Sequence, residues 1–270
     1  MSRFFLSIFL LTSFVSSRHS GFSNKQAIDE QPSLRAFNHD AFKRGEVLNY
    51  RMHYGFIEAG TVNLEVKEET REVAGRKTIH CVGIGITNGV CDLFFKVRDH
   101  YETYIDEEAM APWIFIRRVD EGGYHINQDY IFNHYKKKVD TGNNNVYDIP
   151  EYCQDMMSAF YYARCLDYDN AKEGDIYTIN GFVDKEVFPV KIRFTGRETI
   201  DTDIGKIRCI KFRPILQKGR IFKKEEDLNV WITDDKNHIP VRAQAKLLIG
   251  SVRMDLMSYS NLANPLAKVD

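Results

Sequence analysis

Residues 148–166 read Asp148-Ile-Pro-Glu-Tyr-Cys-Gln-Asp-Met-Met-Ser-Ala-Phe-Tyr-Tyr-Ala-Arg-Cys-Leu166, the one long run in the chain with a helical apolar pattern. At about 100° per residue, Tyr152, Met156, Ala159, Phe160 and Ala163 share a face, with Leu166 at its edge. Pro150 suits a first turn, where its missing N–H would be unpaired anyway. Asp148 is placed as the N-cap, Glu151 and Asp155 near the positive end of the helix dipole, and Arg164 near the negative end. The face alternates large and small side chains, which suits packing on a sheet. Its Met and Phe residues also occur at the mouths of apolar cavities, so the alternative is a lid over one. Truncating Phe160 is therefore expected to destabilise the fold, and Tyr161, off that face, is expected to tolerate truncation better.

On both sides of this run the chain reads as strand and turn. Leu48, Tyr50, Met52 and Tyr54 alternate with Asn49, Arg51 and His53, the mark of a half-buried strand. After a turn at 55–58, Gly60, Val62, Leu64 and Val66 alternate with polar residues and complete a hairpin. Further strands are expected at 77–84, 96–105, 113–119 and 124–132, with a short one ending at Val139, and residues 83–89 read as a glycine-rich loop. After the helix, strands are expected at 176–183, 186–194, 196–202, 205–213, 228–233, 239–249 and 251–258. Charged turns fall at 218–220, 223–227 and 234–237. Short strands at such spacing indicate a mainly β, antiparallel protein with one central helix. No linker flanks the helix, so residues 42–270 are expected to form a single domain.

Residues 1–17 look like a secretory signal peptide. Arg3 supplies the positive start, residues 4–15 are apolar but too short to span a bilayer, and Val15-Ser-Ser17 offers small residues for cleavage. Residues 18–41 are polar and mixed and are expected to form a disordered leader. The mature chain is then expected to be soluble, periplasmic or extracellular, with no transmembrane segment. Its five cysteines are odd in number and show no C-x-x-C spacing, so buried free thiols are expected rather than required bridges.

A net charge of −1 gives no electrostatic case for nucleic acid. Residues 83–89 lack the Lys-Ser/Thr of a phosphate loop, and the histidines never take metal-ligand spacing such as H-E-x-x-H. Asp99 and His100 are neighbours on a strand and point to opposite faces, so they do not form an acid–base pair. No catalytic residue, cofactor or metal is expected, and the protein is not expected to be an enzyme. The lysines at 136–138 and 223–224 read as solvated faces that protect sheet edges.

The pattern Tyr50-x-Met-His-Tyr-Gly-x-Ile-x-Ala-Gly60 resembles the opening of an exported family, domain of unknown function 3108. The segments from Val97-x-Asp99 to Tyr104-x-Asp106 with Pro112, and from Asp155 to Arg164, match it too. The resemblance covers roughly Phe42 to the C-terminus and implies an exported β-rich protein with no assigned reaction. Its architecture looks similar to the half-barrels of periplasmic lipoprotein carriers. That implies a curved antiparallel sheet or half-barrel, with the helix packed on or plugging its concave face.

Two functions fit. One is a carrier or sensor of an apolar, acyl or lipid-like ligand in the envelope, held by Tyr50, Met52, Tyr54, Met156 and Phe160. The other is a non-enzymatic interaction module that binds an envelope protein or glycan. Export is directly testable: the mature protein purified from its native host should begin near Arg18 on N-terminal sequencing. Intact Met1 in a cytosolic fraction would contradict the reading of residues 1–17.

Overall fold

The computed structural model describes residues 33–215, 228–247 and 250–269; the signal-peptide segment 1–17 and the charged turns at 218–220 and 223–227 lie outside the described residues. Nine strands precede the long helix: β1 (Val47–Tyr54), β2 (Ile57–Val66), β3 (Arg71–Val73), β4 (Arg76–Thr87), β5 (Arg98–Asp106), β6 (Pro112–Glu121), β7 (Tyr124–Asn133), β8 (Lys138–Asp140) and β9 (Val146–Asp148). Six follow it: β10 (Ile176–Val183), β11 (Glu186–Thr202), β12 (Gly205–Pro214), β13 (Leu228–Thr233), β14 (Pro240–Lys246) and β15 (Ser251–Ser260). A one-turn helix, α1 (Gly89–Phe94), links β4 to β5, and α2 (Met156–Arg164) links β9 to β10.

All the strands belong to one antiparallel sheet, in the order β10-β11-β12-β13-β14-β15-β1-β2-β4-β5-β6-β7-β8-β9 with β3 beside β4. The alternation of the opening hairpin sets its register, with Leu48 opposite Leu64 and Tyr50 opposite Val62. The last strand, β15, pairs with the first, so the sheet ends on β9 and β10, the two strands that flank α2 in sequence. The sheet does not close into a barrel. Helix α2 nevertheless packs on both β5 and β10, nine places apart in that order, so the sheet curves around it.

The helix is shorter than the sequence pattern implies. It starts at Met156, and its cap is Asp155 rather than Asp148. Asp155 Oδ1 accepts from the Met157 and Ser158 N–H groups at 2.7 and 2.9 Å, and Ser158 Oγ accepts from the Asp155 N–H at 2.9 Å. This reciprocal box satisfies donors that no earlier helical turn could reach. Upstream, Asp148 ends β9, Tyr152 takes a left-handed φ of 52°, and Gln154 bridges Gly181 on β10. The bridge uses backbone groups of residue 154 that a longer helix would have consumed.

The helix also faces differently. Its buried side chains are Met157, Ser158, Tyr161 and Arg164, while Met156, Ala159, Phe160 and Ala163 are only partly covered. Met157 lies against β4 because position 83 is glycine: a Cβ there would fall 3.0 Å from Met157 Cε. Gly83 and Gly85 thus lie within β4, which runs to Thr87, and not in a loop. Strand β11 is continuous where two strands were expected, with a register shift beside Gly196 at φ +129°.

Order also begins earlier than Phe42. The Arg35 N–H donates to Tyr152 Oη at 2.9 Å, its guanidinium sits 4.1 Å from that ring's centroid, and Phe37 packs 5.2 Å from Tyr162. Residues 33–41 therefore run over the helical segment instead of forming a disordered leader. All five cysteines are free, and burial pushes the Cys153 and Cys209 thiols up to about 12, so both behave as small apolar groups.

The observed facing reverses the expected mutational order. Tyr161 has no exposed surface and packs 4.9 Å from Phe42, so Tyr161→Ala should cost about 3–5 kcal/mol. Phe160→Ala should cost under about 2 kcal/mol, because its ring is only partly covered. Chemical denaturation of both variants measures this, and a larger loss at Phe160 would contradict the facing.

Candidate functional site: an apolar cavity beside the central helix

Two buried charges hold α2 in place. At its end, Arg164 forms a two-pronged pair with Glu46 at 2.6 and 2.8 Å, both side chains being 1% exposed. The same guanidinium donates to the Asn237 and Ala41 carbonyls at 2.9 and 3.1 Å. His238 donates from Nδ1 to the Arg164 carbonyl at 2.7 Å, which satisfies one of the last helical acceptors. Burial works against the Arg164 charge, but the Glu46 carboxylate outweighs it and keeps the guanidinium ionised. At the start of the helix, Asp155 also accepts from Thr103 Oγ1 of β5 at 2.6 Å. Burial outweighs these bonds and pushes Asp155 up to about 6.

With the Tyr161 and Arg164 side fixed to the β1–β5 half, the opposite face of α2 borders a cavity of about 230 Å³. Met156, Ala159, Phe160 and Ala163 form one wall. Val62 and Leu64 of β2, paired with Gly85 and Gly83 of β4, form a second. The third is the β10–β11 hairpin, where Ile179 opposite Val190 and Gly181 opposite Phe188 present an apolar inner surface. Phe212 and Val230, paired across β12 and β13, border it as well. An apolar void of about 150 Å³ stays dry and takes up benzene, so this cavity has room for a larger apolar guest.

Of the five residues read from the sequence as ligand-lining, Met156 and Phe160 lie on the cavity. The other three do not. Tyr50 is fully buried in the core beside the Glu46–Arg164 pair, and Met52 is 5% exposed. Tyr54 sits at the end of β1 against Gly250, where an added Cβ would lie 2.9 Å from its hydroxyl. These side chains fill the layer between the opening hairpin and its neighbours, where strand alternation alone cannot separate packed core from cavity wall. Sequence reading missed the whole β10–β11 wall, although Phe188, Val190 and Ile192 alternate with exposed residues.

Next to the cavity, β5 and β6 carry buried polar groups. Tyr101 borders the void, Arg117 lies opposite it on β6, and Asp99 lies opposite the cavity-lining Gly85. Arg117 Nη1 pairs with Asp184 Oδ1 of the β10–β11 turn at 3.0 Å. Burial, then the neighbouring Glu121 charge, pushes Asp99 up to about 7, and burial raises Glu121 as well. His100 points away from Asp99, to the outer face, where its Nε2 and that of His80 both bond Glu102 at 2.8 Å. Among the described residues no group of three His, Cys, Asp or Glu side chains is placed to hold a metal ion. No helix among them is long and apolar enough to cross a membrane.

Fold and cavity together define a one-sheet β protein wrapped around a short helix, with an apolar hollow on one side of that helix. The chain belongs to the family described as protein of unknown function DUF3108, which matches residues 49–257. A beta-barrel-like protein of domain of unknown function DUF1849 from Brucella abortus superposes with a TM-score of 0.53 at 10% identity, covering 81% of this chain and 98% of that one. A candidate lipoprotein from Parabacteroides distasonis gives 0.33 at 12% identity over 85% of this chain and 100% of its own. A candidate exported protein with a YmcC-like fold from Bacteroides fragilis gives 0.32 at 11%, over 84% and 100%. No curated protein matches the chain.

The two buried charges generate separate expectations. Arg164→Met strands the Glu46 carboxylate and should cost about 3–5 kcal/mol, most of which Glu46→Gln in the same chain should restore. Additive losses in that double-mutant cycle would show the two groups to be uncoupled. Asp155 is raised in the fold, so its contribution is present below the unfolded value near 4 and is lost as pH rises through about 6. Between pH 4 and 7 the stability difference should move by about 2 kcal/mol in favour of Asp155→Asn. Parallel urea midpoints at the two pH values measure it, and no movement would contradict the raised carboxyl.

Proposed function

We propose that this protein is a soluble, exported, non-enzymatic carrier or sensor of an apolar, acyl-like ligand. The observation that carries the reading is the partly covered apolar face of α2. Met156, Ala159, Phe160 and Ala163 look into a cavity of about 230 Å³ walled by aliphatic and aromatic side chains. A concave apolar surface of this kind, left without protein atoms over it, suits an apolar guest. Each methylene buried there contributes about 0.8 kcal/mol before the costs of association, so a chain of roughly ten carbons reaches micromolar affinity. The void is below the usual 300–1,000 Å³ of drug-sized pockets, which favours one acyl chain over a whole phospholipid. Arg3 followed by the apolar run of residues 4–15 supports placement outside the cytoplasm.

A second reading rests on a different observation. Phe56, Leu93 and Phe94 are 96%, 84% and 85% exposed on the β1–β2 turn and on α1. The Asn88 side chain and backbone tie α1 to Glu58 and Ala59 of β2, so these rings share one end of the sheet. Such exposure suits an interaction module that docks on an envelope protein or glycan.

Displacement of the neutral fluorophore N-phenyl-1-naphthylamine, with native mass spectrometry of freshly purified protein, separates the readings. The carrier predicts a bound acyl-like adduct and loss of probe binding by roughly tenfold or more in Met156→Arg. If neither adduct nor probe binding is found in the folded protein, the interaction module stands instead.

A further inference from the structure

The short helix α1 buries none of its own residues. Val90, Leu93 and Phe94 are 58%, 84% and 85% exposed, and Phe56 on the neighbouring β1–β2 turn is 96% exposed. The segment is nevertheless firmly clamped. Asp92 accepts from Thr87 Oγ1 at 2.6 Å and from the two Arg98 Nη atoms at 2.7 and 3.0 Å. Thr87 Oγ1 accepts in turn from the Val97 N–H at 2.8 Å, which closes the segment at its base. The Asn88 N–H donates to the Ala59 carbonyl and its side chain to Glu58, both at 3.1 Å, which joins α1 to the β1–β2 hairpin. Phe95 lies over Gly122 of the β6–β7 turn, where an added Cβ would fall 2.5 Å from its ring. So many fixed contacts around a helix that covers nothing serve to present Leu93 and Phe94, not to pack them.

Shape and charge select the occupant. At such exposure Phe56, Leu93 and Phe94 stand clear of their neighbours as separate prongs. A rigid protein surface would need a matched hole for each prong, whereas the fluid boundary of a lipid layer takes apolar side chains in any arrangement. Residues 55–58 and 88–98 carry Glu58 and Asp92 against Lys96 and Arg98, so their charges cancel, and Arg98 is already paired with Asp92. A neutral patch draws nothing from an anionic surface and suits a zwitterionic one. The chain ends do not cover it. The Phe37 N–H donates to the Glu108 carbonyl of the β5–β6 turn at 2.7 Å, and Asn261 Nδ2 donates to the Arg44 carbonyl at 2.9 Å. The entering segment and the residues after β15 therefore lie at the other end of these strands.

We infer that this end of the protein docks reversibly on a zwitterionic lipid surface, with Phe56, Leu93 and Phe94 entering the interface and Val90 beside them. Strand β4 runs from Gly83 and Gly85 on the cavity wall directly into α1, so docking brings that wall toward the lipid. The inference needs no guest in the cavity. It gives the exposed side chains a different occupant from the protein or glycan of the second reading.

The test is co-sedimentation of the full mature chain with phosphatidylcholine vesicles. Binding should persist as salt is raised and should gain nothing from added phosphatidylglycerol, because apolar side chains and not charges hold the protein. In Leu93→Ser/Phe94→Ser it should fall by about tenfold or more. Both residues are exposed, so the variant should fold, which its thermal melt checks, and it should treat N-phenyl-1-naphthylamine as the wild type does. The lipid dock and the cavity reading therefore fail separately. The indole fluorescence of Phe94→Trp should be quenched by bromine-labelled acyl chains. Absence of vesicle binding by the folded wild type would overturn the inference and leave these side chains to a protein or glycan. Binding that survives the double variant, or that requires phosphatidylglycerol and vanishes in salt, would overturn it too, since another surface or a charge would then hold the protein.

Discussion

Everything about the central helix depends on burying the Arg164–Glu46 pair. An arginine at 1% exposure is tolerated only because a carboxylate and two backbone carbonyls meet its guanidinium from different parts of the chain. Glu46 stands just before β1, Ala41 belongs to the entering segment, and Asn237 belongs to the turn between β13 and β14. One side chain thus ties the start of the fold, its middle and its later strands to the last turn of α2. Asp155 does the same at the other end, through Thr103 of β5. A helix of nine residues has little stability of its own, so these fixed ends decide where it lies.

Fixing the helix this way turns one face to the core and leaves the other unpaired. Tyr161 and Met157 pack against the β1–β5 half, with Gly83 admitting Met157 to the strand backbone. The Met156 and Phe160 face then looks toward the β10–β13 half, with the cavity between them. The cavity follows from that geometry. The sheet is long enough to surround the helix, and its two edges, β9 and β10, are held near each other by the bridge between Gln154 and Gly181. The helix thus stands between the core and the hollow, with Met157 reaching both.

The buried polar groups beside the cavity follow from the same strand alternation. On β5, Asp99, Tyr101 and Thr103 point inward in turn, so one face carries an acid, a phenol and a hydroxyl toward the interior. Thr103 is used for the helix cap, while Asp99 and Tyr101 are left with unpaired oxygens. The outer residues of the same strand, His100, Glu102 and Tyr104, form their own hydrogen-bonded row, which keeps the two sets of titratable groups apart.

Strand alternation made the opening hairpin legible, and the contrast of one 3.6-period run with many 2-period runs made the fold class legible. The motif from Asp155 to Arg164 was visible as well, although its two charged ends read as dipole partners and not as the cap and the buried anchor they are. Those features are local and follow from periodicity and turn chemistry. Only the tertiary structure decided which face of α2 is covered, because that depends on Glu46, more than a hundred residues away, and on the Gln154 bridge. It also decided that Tyr50 and Met52 are core while Met156 and Phe160 line a cavity. A strand shows which side chains share a face, but it does not show how far away the next apolar surface lies. That distance is set by the curvature of the whole sheet, which no single stretch of sequence encodes.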